Sequence, residues 1–111
     1  MEQLANGMQS RQIDHDAIET VKIPGMVLME RAAAAVAECI RREISMEKRI
    51  LILCGTGNNG GDGVAAGRIL EAAGYQVEIF MTGAREKSSG QLKEQITIAE
   101  NIGLSLSWWE D

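Results

Sequence analysis

The chain has 111 residues, 45% of them apolar, and sixteen acidic against eleven basic side chains leave a net charge of −5. That length holds one domain or part of one, with enough apolar content for a core. The acidic balance argues against a non-specific nucleic-acid surface, and no uncharged apolar run approaches the ~20 residues needed to cross a bilayer.

Met1 to Ser10 reads as a polar, loose arm. Asp14 is placed to cap a short helix reaching Val21, and Ile23-Pro24-Gly25 interrupts it. A longer helix follows, from Pro24 to Glu43. Met29, Ala33, Val36, Ile40 and Ile44 recur on one side, and Glu30, Arg31, Glu38, Arg41 and Arg42 hold the wetter side. Ala32 to Ala35 keep this helix thin enough for a second backbone to lie close. Ile50 to Leu53 is a continuous apolar run, which predicts a strand buried on both faces. Glycine and asparagine then dominate from Gly55 to Gly61, and a helix resumes with Val64, Ile69 and Leu70 toward the sheet and Gly74 as its stop. Gly67 inside that helix costs up to ~1 kcal/mol relative to alanine, offset by close helix–sheet packing.

Gln76 to Met81 predicts a second strand, with Val77, Ile79 and Met81 alternating against Glu78 and Phe80. Thr82 to Gly90 is a polar turn, Gln91 to Asn101 a helix with Leu92, Ile96 and Ala99 inward, and Leu104 to Trp109 a third strand. The order β-α-β-α-β implies an α/β fold with a parallel sheet and right-handed crossovers. Three such strands leave an open edge, and Trp108 and Trp109 have little left to pack against. The expectation is a fragment or shortened form of a larger doubly wound domain, or a sheet completed by a partner.

The chemistry concentrates where the first strand ends. Gly55-Thr56-Gly57-Asn58-Asn59-Gly60 fits G-x-G-x-x-G, in which glycines admit a ligand close to backbone N–H groups at a helix start. Two features argue against an ordinary dinucleotide site. The second strand ends in Met81-Thr82 without the acid that holds the ribose, and Asp62 would repel a pyrophosphate at the same amides. A carboxylate beside asparagine oxygens suits a hydroxyl-bearing ligand or a hard cation, although Asp62 could equally serve as a helix cap. Cys39 and Cys54 lack metal-type spacing and fit a reducing, cytoplasmic setting. Cys54 reads as a small core residue, and His15, between two aspartates, as solvent-exposed.

GTGNNGGDGVAAGRIL is similar to the signature of the YjeF N-terminal family, the NAD(P)H-hydrate epimerases. Ile13-Asp14, Ala17-Ile18-Glu19, Ile23-Pro24-Gly25 and Leu28-Met29-Glu30-Arg31-Ala32-Ala33 resemble that family's N-terminal helices in the same order; Lys22 stands where the family often has glycine. The resemblance covers nearly the whole chain but only the first half of the family's domain. It implies a three-layer α/β/α Rossmann-like parallel sheet, truncated after the third strand, over residues 1–111. It also implies an isomerase that interconverts the R and S forms of hydrated NADH or NADPH in nucleotide repair. Asn58, Asn59, Gly60, Gly61 and Asp62 would contact the hydrated nucleotide, and Asn59 would ligate a potassium ion. The catalytic acid–base residues would lie beyond residue 111, and a companion dehydratase domain or a homo-oligomer would be the partner. Two other readings stay open: a non-catalytic nucleotide- or cation-binding module, and a nicotinamide dehydrogenase half-domain.

Overall fold

Residues 24–109 are described in the computed structural model, and they alternate helices with parallel strands. We label the elements α1 (Gly25–Glu43), β1 (Arg49–Cys54), α2 (Asn58–Ala72), β2 (Gln76–Thr82), α3 (Gly90–Asn101) and β3 (Leu106–Trp109). A 3-10 turn, Arg85–Lys87, lies between β2 and α3. The expectations for Asp14, His15 and Lys22 fall outside the described residues.

The strand order is β1-β2-β3, all parallel. Ile50 pairs with Val77, Ile52 with Ile79, Cys54 with Met81, and Met81 in turn with Trp108. Residues in register share a face, so these side chains form one apolar surface. Both crossovers step the same way across the sheet, and right-handed connections therefore place α2 and α3 on the same side of it. Val64, Leu70, Leu92, Ile96 and Ala99 close the core against that surface. Fully burying a side chain of this size contributes about 1.5–3 kcal/mol.

The opposite face is different. Ile50 to Leu53 was expected to be covered on both sides, yet Leu51 is 57% and Leu53 72% exposed, with Phe80 and Trp109 also open. An apolar run is compatible with double burial; the shared direction of the two crossovers decides that, among the described residues, only one face receives helices.

α2 lies close to the sheet because it lacks side chains where it touches. A Cβ at Gly67 would stand 2.7 Å from Ile79 Cδ1, and one at Gly63 would stand 2.6 Å from Cys54 Sγ. This is the close helix–sheet packing expected for Gly67. Alanine does the same work between helices: Ala33 of α1 packs with Ala65 and Ala66 of α2. Of the expected thin stretch only Ala33 is buried, and Ala37 rather than Val36 takes the next inward position, leaving Val36 half exposed. Glu30 and Arg68 pair across the α1–α2 seam, and Tyr75 donates its hydroxyl to the Ile44 carbonyl at 2.5 Å, tying the end of α1 to the start of β2. Gly74 and Gly103, with φ of +107° and +83°, end α2 and α3 in the left-handed conformation that favours glycine.

Candidate functional site

β1 delivers the chain to its carboxyl end at Cys54, and α2 begins after three intervening residues, at Asn58. The helix starts at Asn58, earlier than the glycine run suggested, so Asp62 sits in its second turn and is not its cap. Gly57 occupies the cap position with φ −88° and ψ −172°, and among the described residues no side chain caps the helix. The Gly57 carbonyl accepts from Gly60 N–H at 3.0 Å and from Gly61 N–H at 3.4 Å. Those two amides are therefore engaged. The amides of Asn58 and Asn59 precede the first helical bond and take no backbone acceptor among the described residues.

The glycines of the turn divide by role. A Cβ at Gly60 would meet the Gly55 carbonyl oxygen at 1.9 Å, and one at Gly61 would lie 2.7 Å from Met29 Cε and 3.5 Å from Leu92 Cα. Both are buried, and their missing side chains let the first turn of α2 nest against its own loop, α1 and α3. Gly55 and Gly57 have open space around them. Asn58 and Asn59 are exposed on the outside of the turn. Asp62 is half-buried and lines a groove of about 520 Å³ that follows β1, together with Val36, Ile40, Ile44, Leu51 and Leu53.

The turn is braced from the β2 side. Thr82 donates its hydroxyl to the Cys54 carbonyl at 3.2 Å, and Ser89 N–H donates to the Thr56 carbonyl at 2.8 Å. Gly83, at φ +98°, leaves room for the Thr56 methyl; a Cβ there would lie 3.2 Å from it. These braces hold the carbonyl side of the loop and leave the helix-start amides to whatever binds. Sequence reasoning did not find them, nor the groove along β1. The only local signal was Ser89, three residues before Leu92, in the position of a helix cap. At the end of β2, Met81 is fully buried and Thr82 is spent on Cys54, so no carboxylate stands where a ribose-binding acid would.

Cys54 adjoins the turn as a core residue. It is buried, and burial pushes its thiol up from near 9 to about 11. Among the described residues no three His, Cys, Asp or Glu side chains gather as a metal-binding group, and no helix is long and apolar enough to cross a membrane.

Comparison with known proteins adds the following. The family described as YjeF-related protein N-terminus matches residues 25–108. An NAD(P)H-hydrate epimerase from Rhodopirellula baltica is 43% identical over 96 residues, covering 86% of this chain and 39% of the relative. One from Oenococcus oeni is 40% identical over 97 residues, covering 86% of this chain and 46% of the relative. A bifunctional NAD(P)H-hydrate repair enzyme Nnr from Pyrobaculum aerophilum is 44% identical over 77 residues, or 69% of this chain and 15% of the relative. The crystal structure of yeast ynu0, YNL200c, shares the fold at a TM-score of 0.78 and 22% identity, covering 96% of this chain and 47% of that one. The chain thus spans less than half the length of these relatives. With the turn, the helices beside it and the parallel sheet all inside the matched span, the chain belongs to the YjeF-related protein N-terminus family.

Proposed function

We propose that this chain is the N-terminal part of an NAD(P)H-hydrate epimerase, an isomerase that interconverts the R and S forms of hydrated NADH and NADPH. The observation that carries the reading is the uncapped start of α2, with Asn58 and Asn59 exposed on it. Helix-start amides without a backbone acceptor suit the hydroxyl and carbonyl oxygens of a hydrated ring, which Asp62 does not repel as it would a pyrophosphate, and carboxamides can both donate to and accept from that ring. Asp62, four residues after Asn58 on the same helix, adds an acceptor for a substrate hydroxyl. Gly60 and Gly61 form the floor: without side chains they keep the turn low enough for the ligand to approach.

The donor chemistry at the turn fits a hard cation in part. The Asn59 amide oxygen is neutral, exposed and of the oxygen type such ions prefer, and we assign it to the family's potassium ion. A bound potassium ion would offset phosphate charge next to the ring. We place its remaining ligands, and the acid–base groups that invert the stereocentre, beyond residue 111; the chain covers 39% and 46% of two of the relatives. A companion dehydratase and a cytoplasmic setting complete the reading. Both cysteines are free thiols, as a reducing compartment would keep them.

The test is a titration with separated R and S hydrates of NADH and with intact NADH, in potassium and in lithium salts. The hydrates should bind at least tenfold more tightly than NADH, a difference of about 1.4 kcal/mol, and Asn59→Ala should remove most of it. Equal binding of intact NADH would favour a dehydrogenase half-domain. No binding of either hydrate would overturn the proposal for this turn.

A further inference from the structure

The turn between β1 and α2 has little of its own to fix its path. Gly55 and Gly57 have open space around them, and among the described residues no side chain caps the helix that follows. Its carbonyls are held from outside or from the helix. The Cys54 carbonyl accepts from the Thr82 hydroxyl at 3.2 Å and the Thr56 carbonyl from Ser89 N–H at 2.8 Å. The Gly57 carbonyl accepts from Gly60 N–H at 3.0 Å. Of these donors only Thr82 uses a side chain, so only its brace can be removed without altering the backbone.

We infer that Thr82 is a positioning residue for the hydrated ligand: by holding the Cys54 carbonyl it sets where the turn presents the amides of Asn58 and Asn59. The inference rests on the functional reading above. Its first support is the anchorage of Thr82 itself. Thr82 ends β2 in register with Trp109 of β3, and the next amide, Gly83 N–H, donates to the Trp109 carbonyl at 3.2 Å. The β1–β2 register stops one residue earlier, at Cys54 and Met81. The hydroxyl thus extends the hold on β1 past the end of the ladder, from a residue fixed to the neighbouring strand.

The second support is a path from that brace to the amides. The Cys54 carbonyl belongs to the peptide unit that enters Gly55, whose φ no side chain restrains. The Gly55 carbonyl oxygen lies so close under Gly60 that a Cβ there would be 1.9 Å away. Rotation of the Cys54–Gly55 peptide therefore presses on the first turn of α2. Asn58 and Asn59 stand between these two points of contact in the chain.

The third support is what position 82 must supply, which is a donor. An ionised carboxylate only accepts, so the ribose-binding acid of an ordinary dinucleotide fold would face the Cys54 carbonyl oxygen to oxygen. Valine keeps the shape of threonine and drops the donor; serine keeps the donor and drops the methyl.

The experiment titrates the whole chain, Thr82→Val, Thr82→Ser and Thr97→Val with the separated R and S hydrates of NADH, read by amide nuclear magnetic resonance. Thr97 is the control: its hydroxyl donates to the Lys93 carbonyl at 3.0 Å on the exposed side of α3, so an equal bond is lost away from the turn. Thr82→Val should bind the hydrate about tenfold more weakly, with the free-chain resonances of Gly55, Asn58 and Asn59 displaced. Its circular-dichroism melt should match that of Thr97→Val. Thr82→Ser should restore affinity and resonances, and Thr97→Val should bind like the wild type. Wild-type affinity in Thr82→Val overturns the inference and leaves the functional reading standing. So does a loss that serine fails to restore, or one that Thr97→Val shares. A wild-type chain that binds neither hydrate overturns the functional reading, and this inference with it.

Discussion

The two β-to-α turns of this sheet both open on a glycine and are finished in opposite ways. Between β2 and α3 the chain takes residues 83–89 to turn, and Ser89 Oγ then accepts from Leu92 N–H at 3.2 Å, capping the helix from within. Between β1 and α2 it takes three residues, Gly55-Thr56-Gly57, and supplies no side-chain cap. The β2–α3 turn satisfies the Leu92 amide with its own side chain and braces its neighbour through Thr82 and Ser89. The second keeps donors unused at the surface, where water or a ligand must take them. A self-finished turn is a structural device; the unfinished one beside it is where binding is to be sought.

Glycine-to-alanine substitutions separate the turns most sharply. At Gly60 the new methyl would meet the Gly55 carbonyl oxygen at 1.9 Å, a backbone atom that cannot step aside. Gly60→Ala should cost about 3 kcal/mol or more in urea unfolding. At Gly90, the first residue of α3, nothing lies within 4 Å, so Gly90→Ala should be neutral or stabilise by about 0.5–1 kcal/mol. Similar costs at both sites would break the comparison.

Alkali probes the β1 end through Cys54. The folded Cys54 thiol titrates near 11 while the unfolded thiol titrates near 9. Above pH 9 the unfolded chain therefore loses its proton first and is favoured. Stability is whole below pH 9 and falls between 9 and 11, by on the order of 2 kcal/mol. Cys54→Ala should flatten that slope in urea melts, after correction for other groups that titrate there, although the variant is less stable at every pH.

A smaller effect belongs to the cap. Ser89→Ala should destabilise by about 1 kcal/mol, because it removes the acceptor of Leu92 N–H. The reciprocal change, Gly57→Ser, gives α2 the cap it lacks, with open space for the side chain and an ordinary φ of −88°. It should raise stability by a few tenths of a kcal/mol and weaken nucleotide binding, since the new hydroxyl competes for the helix-start amides. A variant more stable and equally able to bind would show that those amides are not the ligand's.

Much of the fold was legible because its signals are local. The 3.6-residue spacing of Met29, Ala33 and Ile40, the alternation of Val77, Ile79 and Met81, and the stop at Gly74 each depend on a few neighbouring residues. The turn was legible as a motif: Asn58 and Asn59 lie exposed at a helix start beside the sheet's carboxyl end, where the glycine pattern puts them. What escaped depends on residues far apart in the chain. That Gly61 is flanked by Met29 and Leu92, or that Thr82 holds the Cys54 carbonyl, follows only from the packing of separate elements. The bare face escaped for another reason: Leu51 and Leu53 are apolar whether a helix covers them or not, and composition cannot tell a buried leucine from an exposed one.

The most direct measurement is an amide nuclear magnetic resonance titration of the whole chain with hydrated NADH, followed at the two turns together. The account predicts saturable shifts at Gly57, Asn58 and Asn59, far smaller ones with intact NADH, and little change at Ser89 and Gly90. Shifts centred on the α3 turn, or equal responses to the hydrate and to intact NADH, would contradict it.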